Sequence, residues 1–332
     1  MNEWVLALGL ETVHPGPRTL FAQGWVGHLS RILGHLQGNA VTFVAPQDAV
    51  ATAAGQPTVG QALSLYRLPS LSRRPRIYGV LGNPARHSAS PYLHNRVLQE
   101  WGEEALYLWL EAPAPEPVLG WIRDGRIAGL SVTAPFKERI TGLLDDVEEP
   151  VRRLGATNTV WREGDRLRGA NTDREAAVSL LQETSADSSM AVLGAGGAAR
   201  AFLDAASDLG MEATLFNRSR ARGVETAREL GATWGGDWEE LDPARFVVVV
   251  NCTPVRDPED MPGRLASADW AGTTLIDLVY GGPPTSWEGF ARRGGAEYHG
   301  GLEFLVRQAT GQLERWIGRR PARSTLREAL PR

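Results

Sequence analysis

Hydrophobic and polar residues follow a repeating pattern along this chain, in which short apolar runs alternate with amphipathic stretches. The clearest apolar runs, at residues 77–81, 105–112, 190–193 and 246–250, have the length of buried strands. Each run leads into a turn that contains glycine, proline or asparagine. Residues 300–318 show helical spacing and predict a long closing helix. Strands that alternate with helices predict an α/β fold with parallel sheets.

The first 68 residues form a separate part of this pattern. They contain two predicted strand-and-helix pairs, with strands at 4–10 and 37–46 and helices at 27–36 and 57–68. Two such pairs bury too little surface to close a core alone. Residues 69–76 combine proline, serine and arginine, and they predict a linker.

Composition and charge narrow the class of protein. A net charge of -4 and a pI near 5.9 argue against a general nucleic-acid-binding protein. The single cysteine, Cys252, excludes an internal disulfide and a cysteine zinc cluster, so we expect no metal site and a reducing, cytoplasmic location. No apolar run reaches the ~20 residues of a membrane span, and Glu3 ahead of the first strand argues against a signal peptide.

Lys137 is the only lysine among the 35 lysine and arginine residues. A surface position accepts either cation, whereas a site that needs a compact, proton-exchanging ammonium does not accept arginine. The lysine follows a predicted strand and the turn at Pro135 and Phe136, where α/β enzymes place active groups. The pattern therefore favours a chemical role for Lys137 over a surface role.

Two other turns allow either a structural or a functional interpretation. Ser88 and Ser90 precede a helix predicted to begin at Pro91, where they can cap the helix or bind an anionic or polyhydroxylated ligand. Asp173 begins another predicted helix and can simply complement its dipole. Together with Lys137, Asp173 can instead form a proton-handling pair.

A glycine-rich turn at residues 194–199 carries the strongest local motif. It lies between a buried strand and an alanine-rich helix, which is the context of a dinucleotide-binding turn. The next strand ends in arginines and lacks the acidic residue that binds a ribose 2′-hydroxyl. This feature favours NADP over NAD. Asn251 and Thr253 end a later strand, where we expect them to face the ligand crevice, and we interpret Cys252 as a packing residue.

The order and spacing of nine motifs between residues 77 and 318 resemble the shikimate dehydrogenase family. The motifs are GNPARHSASPYLHN, SVTAPFK, ATNTV, NTD, GAGGAAR, NRSRAR, NCTP, LVYGGPPT and GGLEFLVRQA. The resemblance implies a substrate domain at 77–175 that residues 300–320 complete, and a Rossmann NADP-binding domain at 176–299. It also implies NADPH-dependent, reversible reduction of 3-dehydroshikimate to shikimate, a step of chorismate and aromatic amino-acid biosynthesis.

The same resemblance assigns roles to individual residues of this chain. Lys137 and Asp173 resemble the catalytic pair. The positions that resemble substrate contacts are Ser88, Ser90, Thr133, Asn158, Tyr280 and Gln308. The positions that resemble cofactor contacts are Gly194, Ala195, Gly196, Gly197 and Ala198 for the pyrophosphate, Asn217, Arg218, Ser219 and Arg222 for the 2′-phosphate, and the strand-end residues Asn251 and Thr253.

The first 68 residues resemble the C-terminal end of a type I 3-dehydroquinate dehydratase, a (β/α)8 barrel. Ser30-Arg31 and Ala54-Gly55-Gln56-Pro57 carry this resemblance. The family's Schiff-base lysine and its histidine partner belong to strands that this chain lacks. The resemblance therefore implies a partial barrel without dehydratase activity, as in a dehydratase–dehydrogenase fusion that has lost most of its first enzyme. An unrelated N-terminal extension is the alternative.

Several positions depart from the dehydrogenase pattern. Arg174, Arg256 and Glu303 stand where glycine is common, and Phe304 replaces a usual methionine. A carboxylate at 303 near the nicotinamide would disfavour NADPH or change the choice of substrate. The alternatives are therefore a quinate/shikimate dehydrogenase that prefers NAD, a lyase completed by another chain, and a non-catalytic remnant. For partners we expect a small-molecule substrate, neither nucleic acid nor membrane, and a monomer or homodimer.

Overall fold

The computed structural model describes residues 19–36, 38–46, 51–72, 74–184, 189–256, 265, 267–281 and 285–330. The chain divides into two compact units. Unit 1 contains residues 1–133 and 328–332, and unit 2 contains residues 134–327. This division does not test the functional domain boundaries expected from the sequence, and those boundaries remain a prediction.

The N-terminal part of unit 1 forms one of its two predicted helices in full. Helix α1 (His28–Leu36) lies where the pattern predicts it. The second predicted helix is reduced to a π-helical turn at Gln61–Leu65. The first predicted strand, at residues 4–10, lies outside the described residues.

The strand predicted at residues 37–46 does not form in the described residues 38–46. Ala45 makes only a single parallel bridge with Thr58. A strand requires backbone partners along its length, and here the N–H of Val41 donates to the side chain of Thr19 instead. A partial barrel is therefore not shown by the structure.

A three-stranded parallel arrangement makes up the rest of unit 1. Strand β1 (Arg76–Gly82) pairs with β2 (Ala105–Glu111) on one side and with β3 (Gly129–Val132) on the other. Helices α2 (Ser90–Glu100) and α3 (Glu116–Arg123) connect these strands. Most residues of all three strands are buried, as is typical of parallel strands covered on both faces.

Unit 2 opens with the short helix that carries the sole lysine. The first elements, in chain order, are α4 (Lys137–Thr141), β4 (Asp146–Val147), α5 (Glu149–Leu154), β5 (Thr159–Glu163), β6 (Arg166–Ala170) and α6 (Thr172–Leu181). Strands β5 and β6 form an antiparallel hairpin. Strand β4 pairs with β6 in parallel.

A six-stranded parallel sheet follows, in the order β12-β11-β10-β7-β8-β9. Its elements are β7 (Ser189–Leu193), α7 (Gly197–Asp208), β8 (Glu212–Phe216), α8 (Arg220–Glu229), β9 (Thr233–Gly236), β10 (Val248–Asn251), β11 (Thr274–Asp277), α9 (Ser286–Gly294) and β12 (Glu297–Gly300). The strand order reverses between β7 and β10, and doubly wound sheets bind ligands at such a point. The structure therefore confirms the Rossmann-type fold.

Two helices close the chain. Helix α10 (Gly301–Ile317) is the long closing helix that the sequence predicts. The residues after Arg319, which we expect to fray, instead form α11 (Arg323–Glu328), because Leu326 gives this helix a fully buried anchor. No helix among the described residues has the length and hydropathy to cross a membrane.

A cluster of charges joins α6 to α7. Asp204 of α7 accepts hydrogen bonds from Arg153 at 3.0 Å and from Arg174 at 2.5 Å. Arg174 also pairs with Asp208. Burial acts to raise the pKa of Asp204, but the hydrogen bonds from the two arginines outweigh it and hold this pKa below its usual value. Arg174, a departure from the family pattern, therefore has a structural role.

We expect the substitution Asp204→Asn to lower the free energy of unfolding by about 2 kcal/mol at pH 7, because it removes a charged acceptor shared by two arginines. Since folding lowers this pKa from its usual 3.8, the carboxylate stabilises the fold above that value. The stabilisation is lost as the pH falls through the lower folded value. Urea unfolding at pH 7 and pH 3 should show the variant's deficit shrinking at pH 3, and an unchanged deficit would contradict the assignment.

Candidate active site

In unit 1 the structure brings the two predicted serines together. Ser88 Oγ donates to Ser90 Oγ at 3.0 Å and accepts from the Ser90 backbone N–H at 3.2 Å. One hydroxyl thus satisfies the start of α2, and the pair presents adjacent polar atoms of the kind that bind a carboxylate. Thr133 lies directly after β3, where its N–H donates to Leu81.

In unit 2 Lys137 and Asp173 form the predicted pair. Lys137 Nζ lies 2.6 Å from Asp173 Oδ2, and the aspartate is fully buried. The second carboxylate oxygen, Oδ1, is also buried and has no hydrogen-bond partner. Buried polar atoms are rarely left unpaired, so this oxygen is a ready acceptor for the hydroxyl of a ligand.

Asn158 connects this pair to the closing helix. Its side-chain nitrogen donates to Gln308 Oε1 at 3.1 Å and to Thr172 Oγ1 at 3.0 Å. Its side-chain oxygen accepts from the Thr172 N–H at 2.7 Å. Two predicted contacts, Asn158 and Gln308, therefore lie together beside the residue that precedes Asp173.

The glycine turn takes the geometry of a dinucleotide-binding loop. Gly194 has a φ of +98°, and a Cβ there would lie 3.2 Å from the methyl carbon of Thr253. Gly196 precedes α7 with no side-chain cap, and a Cβ there would meet no atom within 4 Å. The start of α7 therefore has no side-chain cap, and the space beside Gly196 is free of protein atoms, which suits a pyrophosphate.

Lys137 lies against this same turn. A Cβ on Gly197 would lie 2.9 Å from Lys137 Cδ, so the glycine makes room for the lysine stem. The next residue, Glu138, accepts from Arg222 at 2.5 Å, and Arg222 also donates to the carbonyl of Ala195 at 3.0 Å. Arg222, a predicted contact of the 2′-phosphate, is therefore already bonded to Glu138 of helix α4, which begins at Lys137.

The other residues predicted to contact the 2′-phosphate lie just before the start of α8. Arg218 and Ser219 are exposed, and the guanidinium of Arg218 lies 5.1 Å from the ring centroid of Trp238. Asn217 donates to the carbonyl of Ser219 at 2.9 Å and so shapes the turn. This arrangement leaves Arg218 facing solvent, where a 2′-phosphate can reach it.

Asn251 has both ends of its amide bonded within the protein. It accepts from Thr253 Oγ1 at 2.6 Å and donates to Asp277 Oδ1 at 2.9 Å. Burial raises the pKa of Asp277. Burial also raises the pKa of the neighbouring Cys252 thiol, which agrees with a packing role for this cysteine. The hydrogen bonds of Asn251 fix the loop that follows β10. Within this loop, Thr253 lies next to the glycine turn.

Tyr280 lines a cavity of about 240 Å³, although β11 ends three residues before it. Arg256, another departure from the family pattern, lies in the same wall and donates to the carbonyl of Gly281. Tyr298 and Gly301 also line this cavity.

Two other departures also have a structural explanation. The carboxylate of Glu303 is paired with Arg307 at 3.0 Å and with Arg327 at 2.7 Å, so its charge is compensated. Phe304 is buried and stacks on Phe202 with 5.5 Å between ring centroids. Among the described residues, no group of three or more histidine, cysteine or acidic side chains could hold a metal ion.

A parallel Rossmann sheet, an open glycine turn and an adjoining lysine–aspartate pair define a dinucleotide-dependent oxidoreductase. The chain belongs to the shikimate dehydrogenase family. The family description "Shikimate dehydrogenase substrate binding domain" matches residues 80–160. The NADP(+) shikimate dehydrogenase of Symbiobacterium thermophilum is 36% identical to the chain, over 78% of this chain and 95% of the relative.

Two other relatives extend the comparison. The shikimate 5-dehydrogenase of Thermus thermophilus, solved in complex with NADP(H) and shikimate, has a TM-score of 0.67 and 30% identity, over 76% of this chain and 98% of its own. The chloroplastic bifunctional 3-dehydroquinate dehydratase/shikimate dehydrogenase of Arabidopsis thaliana is 29% identical over 91% of this chain and 54% of its own length.

The sequence did not indicate the parts that Thr172 and Glu138 play. Thr172 lies between Asn171 and Asp173 at a strand-to-helix turn. This run of three polar residues could have indicated that Thr172 belongs to the site. Glu138 has no such local signal, because its partner Arg222 lies 84 residues away.

We expect Gly197→Ala to lower turnover about tenfold, because the new methyl group displaces the stem of Lys137 and misplaces its ammonium. The variant should remain folded, since alanine is the better helix former, but with a lower free energy of unfolding because the displaced ammonium compensates Asp173 less well. Gly120→Ala is the matched control, because a Cβ there meets nothing within 4 Å. Steady-state kinetics and thermal unfolding test this, and unchanged turnover in Gly197→Ala would refute the packing argument.

Proposed function

We propose that this chain catalyses the NADP-dependent, reversible oxidation of shikimate to 3-dehydroshikimate. The observation that carries the proposal is the contact of Lys137 with the fully buried Asp173, whose second oxygen lacks a partner. A buried polar atom without a hydrogen-bond partner costs free energy even when the charge of its group is compensated. A substrate hydroxyl at this point would satisfy it.

Lys137 and Asp173 handle the proton of the reaction. The ammonium uses one of its three N–H donors on Asp173 and keeps the others for the reacting oxygen. In the oxidation, the hydroxyl proton passes to this pair as the carbonyl forms. In the reduction, Lys137 returns a proton to the oxygen. Bound NADP supplies the chemistry of hydride transfer at the alcohol carbon.

The residues around the glycine turn fit this cofactor. The uncapped helix start and the side-chain-free surface at Gly196 suit a pyrophosphate. Arg218 and Ser219 are exposed at the next strand end and suit a 2′-phosphate. Thr253 and the cavity beside Tyr280 are assigned to the nicotinamide side.

The remaining predicted contacts are assigned to the substrate. Ser88 and Ser90 bind its carboxylate through their adjacent hydroxyls. The polar side chains assigned to the ring hydroxyls are Thr133, Asn158, Gln308 and Tyr280. The bonded set of Asn158, Thr172 and Gln308 supports this assignment, because it places amide groups next to the catalytic aspartate.

For the N-terminal segment (residues 1–68) we propose descent from a type I 3-dehydroquinate dehydratase without retained dehydratase activity. The match to the bifunctional plant protein supports this origin, because it spans 91% of the chain. The match to the Symbiobacterium enzyme spans 78%. The sole lysine is committed to Asp173, which leaves this segment without a Schiff-base lysine.

The decisive assay follows reduced nicotinamide by absorbance, with shikimate or quinate as substrate and NADP or NAD as cofactor. We expect the largest rate with shikimate and NADP. A larger rate with quinate or NAD would overturn the specificity assignments but keep the mechanism. No rate from folded protein under any pairing would overturn the proposed function.

We expect Lys137→Ala to reduce turnover by ~10²–10⁴, the usual loss when a proton-transfer group is removed. Lys137→Arg should also be severely impaired, because a guanidinium keeps the charge but does not exchange its proton readily. Binding of NADPH, followed by its fluorescence, should survive in Lys137→Arg. Near-normal turnover in either variant would show that Lys137 is not the catalytic group.

Cofactor preference should respond to Glu138, whose carboxylate competes with a 2′-phosphate for Arg222. We expect Glu138→Gln to lower the Kd for NADPH several-fold and to leave the Kd for NADH unchanged, with an effect that shrinks at high salt. Glu225→Gln is the matched control on an exposed position of α8. Equal changes for the two cofactors would refute the competition.

A further inference from the structure

A cluster of aromatic rings lies inside unit 1, where the N-terminal segment contacts β2 and α2. This aromatic cluster consists of Trp25, His28, Tyr66, Tyr92 and Trp109. His28 stacks on Trp25 with 5.0 Å between centroids. Trp109 of β2 meets the edges of His28, Tyr66 and Tyr92 at 5.8, 6.2 and 5.7 Å. Three of the five rings belong to the N-terminal segment.

His28 is fixed within the cluster by two hydrogen bonds. Its Nδ1 lies 3.0 Å from the carbonyl of Gly55 and its Nε2 lies 3.0 Å from the hydroxyl of Tyr66. Because the carbonyl can only accept, Nδ1 carries the proton and Nε2 accepts from Tyr66. Burial lowers the pKa of His28 to about 4, so the ring stays neutral at physiological pH.

Trp109 connects this cluster to the serine pair. The residue is 4% exposed, and its Nε1 donates to the backbone carbonyl of Ser88 at 2.8 Å. Tyr92 belongs to the first turn of α2, two residues after Ser90. The ring that the N-terminal segment encloses therefore holds the backbone of the loop on which Ser88 and Ser90 lie.

We propose that the N-terminal segment is a positioning element of the dehydrogenase, acting through Trp109 on the Ser88–Ser90 loop. This inference rests on the proposed function, because it assigns these serines to the substrate carboxylate. Trp109 and His28 are positioning residues that do not touch the substrate. The segment thus persists because it orders a substrate contact, without any chemistry of its own.

The effect should fall on one ligand. A loop held by a buried indole N–H keeps two hydroxyls at the spacing that a carboxylate needs, and small displacements of such contacts weaken binding strongly. The cofactor contacts proposed above belong to other elements. Loosening Trp109 should therefore weaken shikimate binding selectively, whereas general destabilisation would affect both ligands.

The test compares Trp109→Phe with Trp270→Phe. Both tryptophans are buried and donate from Nε1 to a backbone carbonyl, Trp270 to Leu265 at 3.1 Å. We expect Trp109→Phe to raise the KM for shikimate about fivefold, the loss of roughly one hydrogen bond, with the KM for NADP unchanged. Trp270→Phe should leave the shikimate KM unchanged. Parallel changes in both KM values, or no change, would overturn the inference.

A second pair of variants tests whether the N-terminal segment acts through Trp109. His28→Leu should raise the shikimate KM in the native background and have little further effect in the Trp109→Phe background, since coupled residues are not additive. Additive effects would overturn the proposed route. Thermal unfolding verifies that each variant is folded.

Failure of the proposed function is distinguishable from failure of this inference. If the native chain binds shikimate but does not turn it over, the function fails, and the same comparison is made on the shikimate Kd measured by calorimetry. If the native chain binds no shikimate, both proposals are overturned. If it turns over shikimate and Trp109→Phe matches it, only the inference is overturned.

Discussion

The buried carboxylate of Asp173 is the constraint on which the site in unit 2 depends. A charge removed from water is tolerated only beside a compensating charge with good geometry. The ammonium of Lys137 supplies that charge. The short helix α4 carries the lysine, and the first turn of α6 carries the aspartate. Gly197 lacks a side chain for the same reason, because the lysine stem occupies that volume.

Near this pair, several acidic side chains are held in ion pairs with arginine. Arg174, at a position where the family resemblance implies glycine, joins α6 to α7 through Asp204. Glu303, which in principle adds a charge beside the cofactor, is paired with two arginines. The charges of Arg174 and Glu303, which depart from the family pattern, are thus compensated by partners on other elements of the fold.

The sequence predicted most strands of residues 77–281, the Rossmann-type domain and the Lys137–Asp173 pair, because each depends on local pattern or on residue type at a strand end. It failed where tertiary contacts decide. The segment at 38–46 has a strand-like composition. Its described residues nevertheless form only one bridge, between Ala45 and Thr58, and not the continuous backbone pairing of a strand. The bonds of Glu138 to Arg222 and of Trp109 to Ser88 join residues far apart in the chain. No periodicity encodes such pairings.

The scarcity of lysine has a consequence for chemical labelling. Lys137 is the only side-chain amine of the chain, and its side chain is 17% exposed. A reagent that acylates or reductively alkylates lysine side chains can therefore modify only one side chain of this chain, that of Lys137. Occupancy of the site would be visible as protection of a single residue, and a lysine-specific protease would cut the unfolded chain once.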